Sequence, residues 1–266
     1  MLITLSAITF YALRFTFYNI LLTHYYLLIT LMNIPSLTTT QMAEVDRLMI
    51  EEYNIQLIQM MENAGRHLAE QARRMLGGSV FDREIVVLCG GGNNGGGGMV
   101  AARNLHNWGA HVHAEITSDE SRLKDVPAHQ WGILQNMGVP RLVDTNDLTI
   151  KPDLIIDAII GYGLRGDPRG EPAKWIEWAN AQDAPILALD TPSGLDTTIG
   201  VPGTPAINAA ATLTLALPKV GLLTPPAKPH VGRLYLADIS VPPALYQHLG
   251  IEIGPLFASE PIIAIE

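Results

Sequence analysis

Past residue 38 the apolar positions become regular. Met42, Val45, Leu48 and Met49 recur at helical spacing and predict a helix over 38–53, with Thr38, Thr39 and Thr40 as candidate N-caps. A second helix is expected over 55–76, where Gly77-Gly78 ends it. The period then changes. Ile85-Val86-Val87-Leu88-Cys89 is an unbroken apolar run, so 84–89 reads as a strand buried on both faces. Further strands are predicted at 111–116, 153–156, 185–189, 211–215 and 233–237, interleaved with helices at 98–108, 127–137 and 172–180. Such alternation implies an α/β domain whose mainly parallel sheet is covered on both faces. No repeat, low-complexity tract or linker divides 35–250, which reads as a single domain, and 251–266 reads as a C-terminal tail.

Residues 1–34 break the pattern. They hold no acidic residue, one arginine (Arg14) and seven of the seventeen aromatics. Three readings stand open. A membrane anchor would bring membrane contact if the segment is part of the mature protein, although Arg14, Asn19 and His24 interrupt the apolar run. A targeting peptide lacks the basic start and the small-residue cleavage site. Alternatively, translation starts at Met32.

Composition narrows the function. Hydrophobic residues make up 48% and charged residues 16%, which excludes general disorder and suits a soluble, cytoplasmic enzyme. The formal charge is -9 with no lysine- or arginine-rich run, so nucleic acid is not an expected partner. The single cysteine, Cys89, excludes an intramolecular disulfide and a cysteine zinc site, and its apolar strand suggests a buried structural thiol.

Four unusual segments follow predicted strands: residues 90–98, with seven glycines in nine; 157–166; 190–196; and 217–221. In an open parallel sheet these positions line one edge, where ligands bind. The glycine run is expected to form a loop that reaches positive φ, approaches a ligand closely and leads into a helix start, a cradle for phosphate. It has no Gly-Lys-Ser/Thr ending, so a triphosphatase loop is not supported. Gly161, Gly163 and Gly166 match the dinucleotide fingerprint in spacing, but Pro168, Gly170 and Pro172 prevent a helix from starting there. Thr191 stands where a nucleophile elbow before Ser193 needs glycine. His106, His111 and His113 read as solvated or core-edge residues. Asp157 and Asp190 each close an apolar strand, where a buried carboxylate needs a cation, a hydrogen-bond network or a substrate.

These segments resemble the NAD(P)H-hydrate epimerase family, the YjeF N-terminal domain. The similarity runs in order over roughly residues 38–245 through Met61-Glu62-Asn63-Ala64-Gly65, Gly90 to Gly98, Asp157 to Gly166, Asp190 to Asp196, Pro218-Lys219-Val220-Gly221 and Ala237-Asp238-Ile239. It implies a Rossmann-like three-layer α/β/α fold, a homodimer, and interconversion of the R and S hydrates of NADH and NADPH. It further implies potassium held by Asn94, Asp157 and Ser193. Substrate would be covered by Asn93, Asn94, Gly95, Gly96 and Gly97, and by Gly161, Tyr162, Gly163, Leu164, Arg165, Gly166 and Asp167. Asp190 would lie beside the reacting ring as the acid/base, with Lys219 positioning it or balancing charge. Gly91 replaces the family's proline, and Gly97 replaces the last acid of Asn-Asn-Gly-Gly-Asp-Gly. The second departure leaves a non-catalytic binding or scaffold module as the alternative. No ATP-dependent dehydratase half accompanies the domain, which reads as a stand-alone epimerase.

Overall fold

The computed structural model describes residues 34–142 and 150–265, so all three readings of residues 1–34 concern a segment almost wholly outside the described residues. Residues Ser36–Ile265 form one compact unit. Its elements in chain order are α1 (Thr39–Glu51), α2 (Leu57–Met75), β1 (Glu84–Cys89), α3 (Asn93–Asn107), β2 (His111–Ile116), α4 (Asp125–Asn136), β3 (Leu154–Ala158), α5 (Glu171–Asn180), β4 (Ile186–Leu189), β5 (Ala211–Leu215), α6 (Lys228–Val231), β6 (Arg233–Ala237), α7 (Pro243–His248) and β7 (Ile262–Ile265).

The seven strands lie in the order β2-β1-β3-β4-β5-β6-β7. All neighbours are parallel except β6 and β7. Successive β1 side chains alternate between two cores, as a strand covered on both faces requires. Ile85, Val87 and Cys89 pack with Leu68, Met99 and Leu105 of α2 and α3, and with Trp131 of α4. Val86 and Leu88 pack with Trp175, Ile176 and Trp178 of α5. This is the expected three-layer arrangement. Among the described residues no helix is long and apolar enough to cross a membrane.

Three expectations need correction. The helix placed at 98–108 starts at Asn93, because most of the glycine run is helical. None of Gly90 to Gly98 has positive φ. Close approach, rather than backbone freedom, demands glycine here: a Cβ on Gly95 would lie 1.8 Å from the Gly90 carbonyl, and one on Gly90 1.9 Å from that of Ile159. Tertiary packing thereby overrides glycine's poor helix propensity. Next, β3 runs through Asp157 to Ala158 instead of ending at 156, so Asp157 is a ladder residue opposite Leu88. Finally, the supposed tail supplies β7, an antiparallel edge strand on β6; four residues are too few for alternation to reveal it.

The Met61-to-Gly65 motif is largely packing. Glu62 ion-pairs with Arg103 on α3 and accepts from Gln130 on α4 at 2.9 Å. Gly65 lets α2 sit on α3, where an added Cβ would be 2.4 Å from Val100 Cβ and 2.5 Å from the Gly97 carbonyl oxygen. Gly65→Ala is expected to cost about 1–3 kcal/mol in urea unfolding by forcing these helices apart.

Candidate functional site

A cavity of about 410 Å³ opens beside the carboxyl ends of β1 and β3. These strands flank the point where the strand order reverses, β2 lying to one side of β1 and β3 to the other, and a crevice forms there. Gly92, the N-cap of α3, and Asn93 and Asn94 form one wall. The first N–H groups of a helix have no intrahelical partner, so this end favours an anion. Lys124 adds a cation to the lining. The segment after β3 contributes Ile159 to Gly163, and α1 and α2 close the site with Met42, Asp46, Met60, Met61 and Ala64.

Asp190 enters from the end of β4 with φ 67°, a left-handed conformation that aspartate tolerates better than most residues. Its N–H still donates to the Leu213 carbonyl at 2.7 Å, so the chain leaves the sheet anchored while the carboxylate turns to the cavity. Lys219, fully buried, ion-pairs with Asp190 Oδ1 and donates to the Leu215 carbonyl at 3.1 Å. The ammonium also lies 5.8 Å from the Tyr162 ring centroid. Around Lys219 the chain is clamped by Leu37, whose N–H donates to the Pro218 carbonyl at 2.8 Å and whose carbonyl accepts from Val220 N at 2.9 Å.

Asp157 and Ser193, both 0% exposed, lie below the cavity instead of in its wall. Ser193 gives Asp157 both its hydroxyl (2.6 Å, to Oδ1) and its N–H (2.8 Å, to Oδ2), and Ile159 N–H adds a 3.2 Å bond. Burial pushes the Asp157 carboxyl up to about 6, with these hydrogen bonds working the other way. The carboxylate therefore has a network, but no cationic side chain pairs with it among the described residues.

Of the expected covering residues, Asn93, Asn94, Gly97, Gly161, Tyr162, Gly163 and Asp190 line the cavity. Gly95 and Gly96 do not. They are buried in the first turn of α3, against Gly90 and Met61. Leu164, Arg165, Gly166 and Asp167 also lie outside the lining, and Asp167 instead accepts from Thr204 N–H at 3.0 Å. Lys219 is likewise outside, behind Asp190, which suits charge balance and not substrate contact. Gly97 does face the cavity, with helical φ. A Cβ there would meet Leu189 Cδ2 at 2.8 Å, the movable end of a side chain, so the backbone does not require glycine.

Sequence reasoning missed Asp46. It sits one turn after Met42 and one before Met49, on the buried stripe of α1, and an acid on that stripe was the available signal. Its Oδ2 accepts the Tyr162 phenol at 2.6 Å. Burial raises the Asp46 carboxyl, and burial first, then the two nearby acids, raise the Tyr162 phenol.

Comparisons with known proteins show the family to which the chain belongs. The family described as YjeF-related protein N-terminus matches residues 57–221. An NAD(P)H-hydrate epimerase of Dehalogenimonas lykanthroporepellens is 40% identical over 220 residues, covering 82% of this chain and 87% of that protein. One of Rhodopirellula baltica is 31% identical, with coverage of 83% and 90%. The bifunctional NAD(P)H-hydrate repair enzyme Nnr of Moorella thermoacetica is 37% identical across 78% of this chain, which spans only 41% of that protein's length. In fold, the chain resembles the crystal structure of yeast YNL200c with a TM-score of 0.72 at 23% identity, covering 87% of this chain and all of that one.

Lys219→Met is expected to lose about 3–5 kcal/mol in denaturant unfolding, because it strands a buried carboxylate. Adding Asp190→Asn should recover much of that loss; additive costs would refute the coupling.

Proposed function

Since the chain belongs to the YjeF-related N-terminal family, we propose that it is an NAD(P)H-hydrate epimerase, an isomerase that repairs hydrated nicotinamide cofactor. The observation that carries this is the cavity itself, where a helix N-terminus suited to phosphate and a carboxylate, Asp190, share one crevice. The substrate's pyrophosphate is assigned to the start of α3 and Lys124, its hydrated ring to Asp190. R and S hydrates differ at the carbon that bears the hydroxyl. Inversion requires that group to leave and water to return from the other face, and a carboxylate can move the protons both events involve.

Potassium belongs to the same proposal. The donor set fits: the Asp157 carboxylate, the Ser193 hydroxyl and the Asn94 amide offer oxygen, the preference of a hard cation. Asn94 Nδ2 is buried without a partner, so turning its amide end for end would present oxygen there at no loss of a hydrogen bond. Bound potassium would supply the positive charge that buried Asp157 otherwise lacks. Asp157 and Ser193 would also hold the backbone at Ile160, whose N–H donates to Ser193 Oγ at 2.8 Å, and with it the wall leading to Tyr162.

A homodimer completes the reading. Exposed Ile199, Val201, Val220 and Leu223 supply an apolar face for it, brought together by the Gly221 N–H bond to the Thr197 carbonyl. Leu223→Asp should then shift the sedimentation coefficient to that of a monomer.

Given pure S hydrate, the protein should form the R epimer until the two equilibrate, followed by chromatography. Asp190→Asn suits the left-handed backbone and should slow this about a hundredfold or more. A wild-type protein that binds the hydrates without interconverting them would make it a scaffold, consistent with the missing acid at Gly97. For the cation, potassium at a hundred times its dissociation constant should stabilise the fold by about 2.7 kcal/mol relative to tetramethylammonium at equal ionic strength. Equal melting in both salts would reject the site.

A further inference from the structure

Resting on the epimerase reading, the cavity contains a carboxylate for which that reading gives no use. Asp46 lines the cavity from α1, and its Oδ2 accepts the Tyr162 phenol at 2.6 Å. Asp46 makes no ion pair among the described residues, and its Oδ1 takes no hydrogen bond there. Tyr162 joins it to the first carboxylate, because the same residue donates its backbone N–H to Asp190 Oδ2 at 3.3 Å. Thr197 Oγ1 fixes the Tyr162 carbonyl at 3.2 Å. One residue thus holds an acid at each end, and both acids line the space between α1 and the sheet edge.

The two acids differ in surroundings. Asp190 is ion-paired with the buried Lys219 ammonium. Asp46 is half-buried without such a partner. The titratable and charged groups facing it are Tyr162, Lys219, Asp190 and, from α7, Tyr246. Burial favours its neutral form, while Tyr162 and then Lys219 oppose that effect. Two carboxyls in unlike surroundings, one ion-paired and one not, are how a pair of acids separates the roles of proton donor and acceptor.

We propose that Asp46 is a second catalytic residue of the epimerisation, the proton-transfer partner of Asp190 at the other end of Tyr162. The hydroxyl-bearing carbon is bonded to the ring nitrogen. Asp46 gives its proton to the hydroxyl, the C–O bond breaks with both electrons on oxygen, and water leaves as the nitrogen lone pair closes a C=N bond. Water then adds to the opposite face, the C=N electrons return to nitrogen, and Asp190 takes the proton released. Asp46 ends ionised and Asp190 protonated, the starting state for the opposite epimer, and exchange with solvent resets the pair. Asp46 also gives the cavity a second acid where position 97 has none.

Asp46→Asn tests this cleanly, since the amide oxygen still accepts the Tyr162 phenol but carries no transferable proton. Expected is a kcat lower by about a hundredfold or more with KM and melting temperature near wild type, and partial rescue by Asp46→Glu. The donor form of Asp46 is lost as pH rises through its pKa, so wild-type kcat for the reaction it starts should fall on the alkaline side. Tyr162→Phe removes the hydrogen bond that lowers that pKa, so this limb should move to higher pH. A kcat for Asp46→Asn within threefold of wild type, or a loss confined to KM or to folding, would overturn the proposal. So would an unmoved limb in Tyr162→Phe. Absence of epimerisation by the wild-type protein would instead reject the underlying function, so the two failures are distinct.

Discussion

The ion pair between Lys219 and Asp190 is the constraint around which the site is built. Both groups have given up water, and such a pair adds little net stability compared with apolar residues of similar volume. Its value is positional. Asp190 leaves β4 in a left-handed conformation that costs energy, and the buried ammonium behind it fixes where the carboxylate points. Tyr162 then packs its ring beside the ammonium and donates its N–H to the carboxylate, so the segment after β3 is referenced to the same charge. Three segments far apart in sequence are thereby set against one another.

Much of this was legible in the sequence. The apolar run at Ile85 to Cys89 and the alternation of strands and helices specify a two-sided parallel sheet. Asp157, Asp190 and the glycine run then fall at one edge by topology alone. What was not legible depends on tertiary contact. Helical glycines at 95 to 98 contradict local propensity and are held by packing against β1, β3 and α2. The extent of β3 past Asp157 is invisible because an acid looks like a strand end until Ser193 satisfies it. Asp46 falls on the apolar stripe of α1, where an acid is out of place, but its partner Tyr162 is distant in sequence and only the fold brings the two together at the cavity.

The two layers of the site differ in chemistry. Asp157 and Ser193, both fully buried, form a network beneath the cavity that reaches its wall through the Ile159 and Ile160 amides. Above it, Tyr162, Asp190 and Asp46 line the cavity itself. Burial pushes up the carboxyls of both Asp157 and Asp46. In the lower layer the proposed cation would offset this, and in the upper layer the proposed proton donor would use it.

Leu37 gives the arrangement an unexpected long-range property. By pairing on both sides with Pro218 and Val220, it makes the lead-in to α1 a short parallel splint across the segment bearing Lys219. Thr39 extends that attachment through its hydroxyl to Thr198 at 3.0 Å. The register of α1 is thus inherited from the lysine segment, and Asp46 rides on α1 two turns farther along. Pulling on the chain ahead of residue 37 would therefore strain both carboxylates of the cavity at once, making the start of the domain a mechanical handle on a site assembled mostly from its middle.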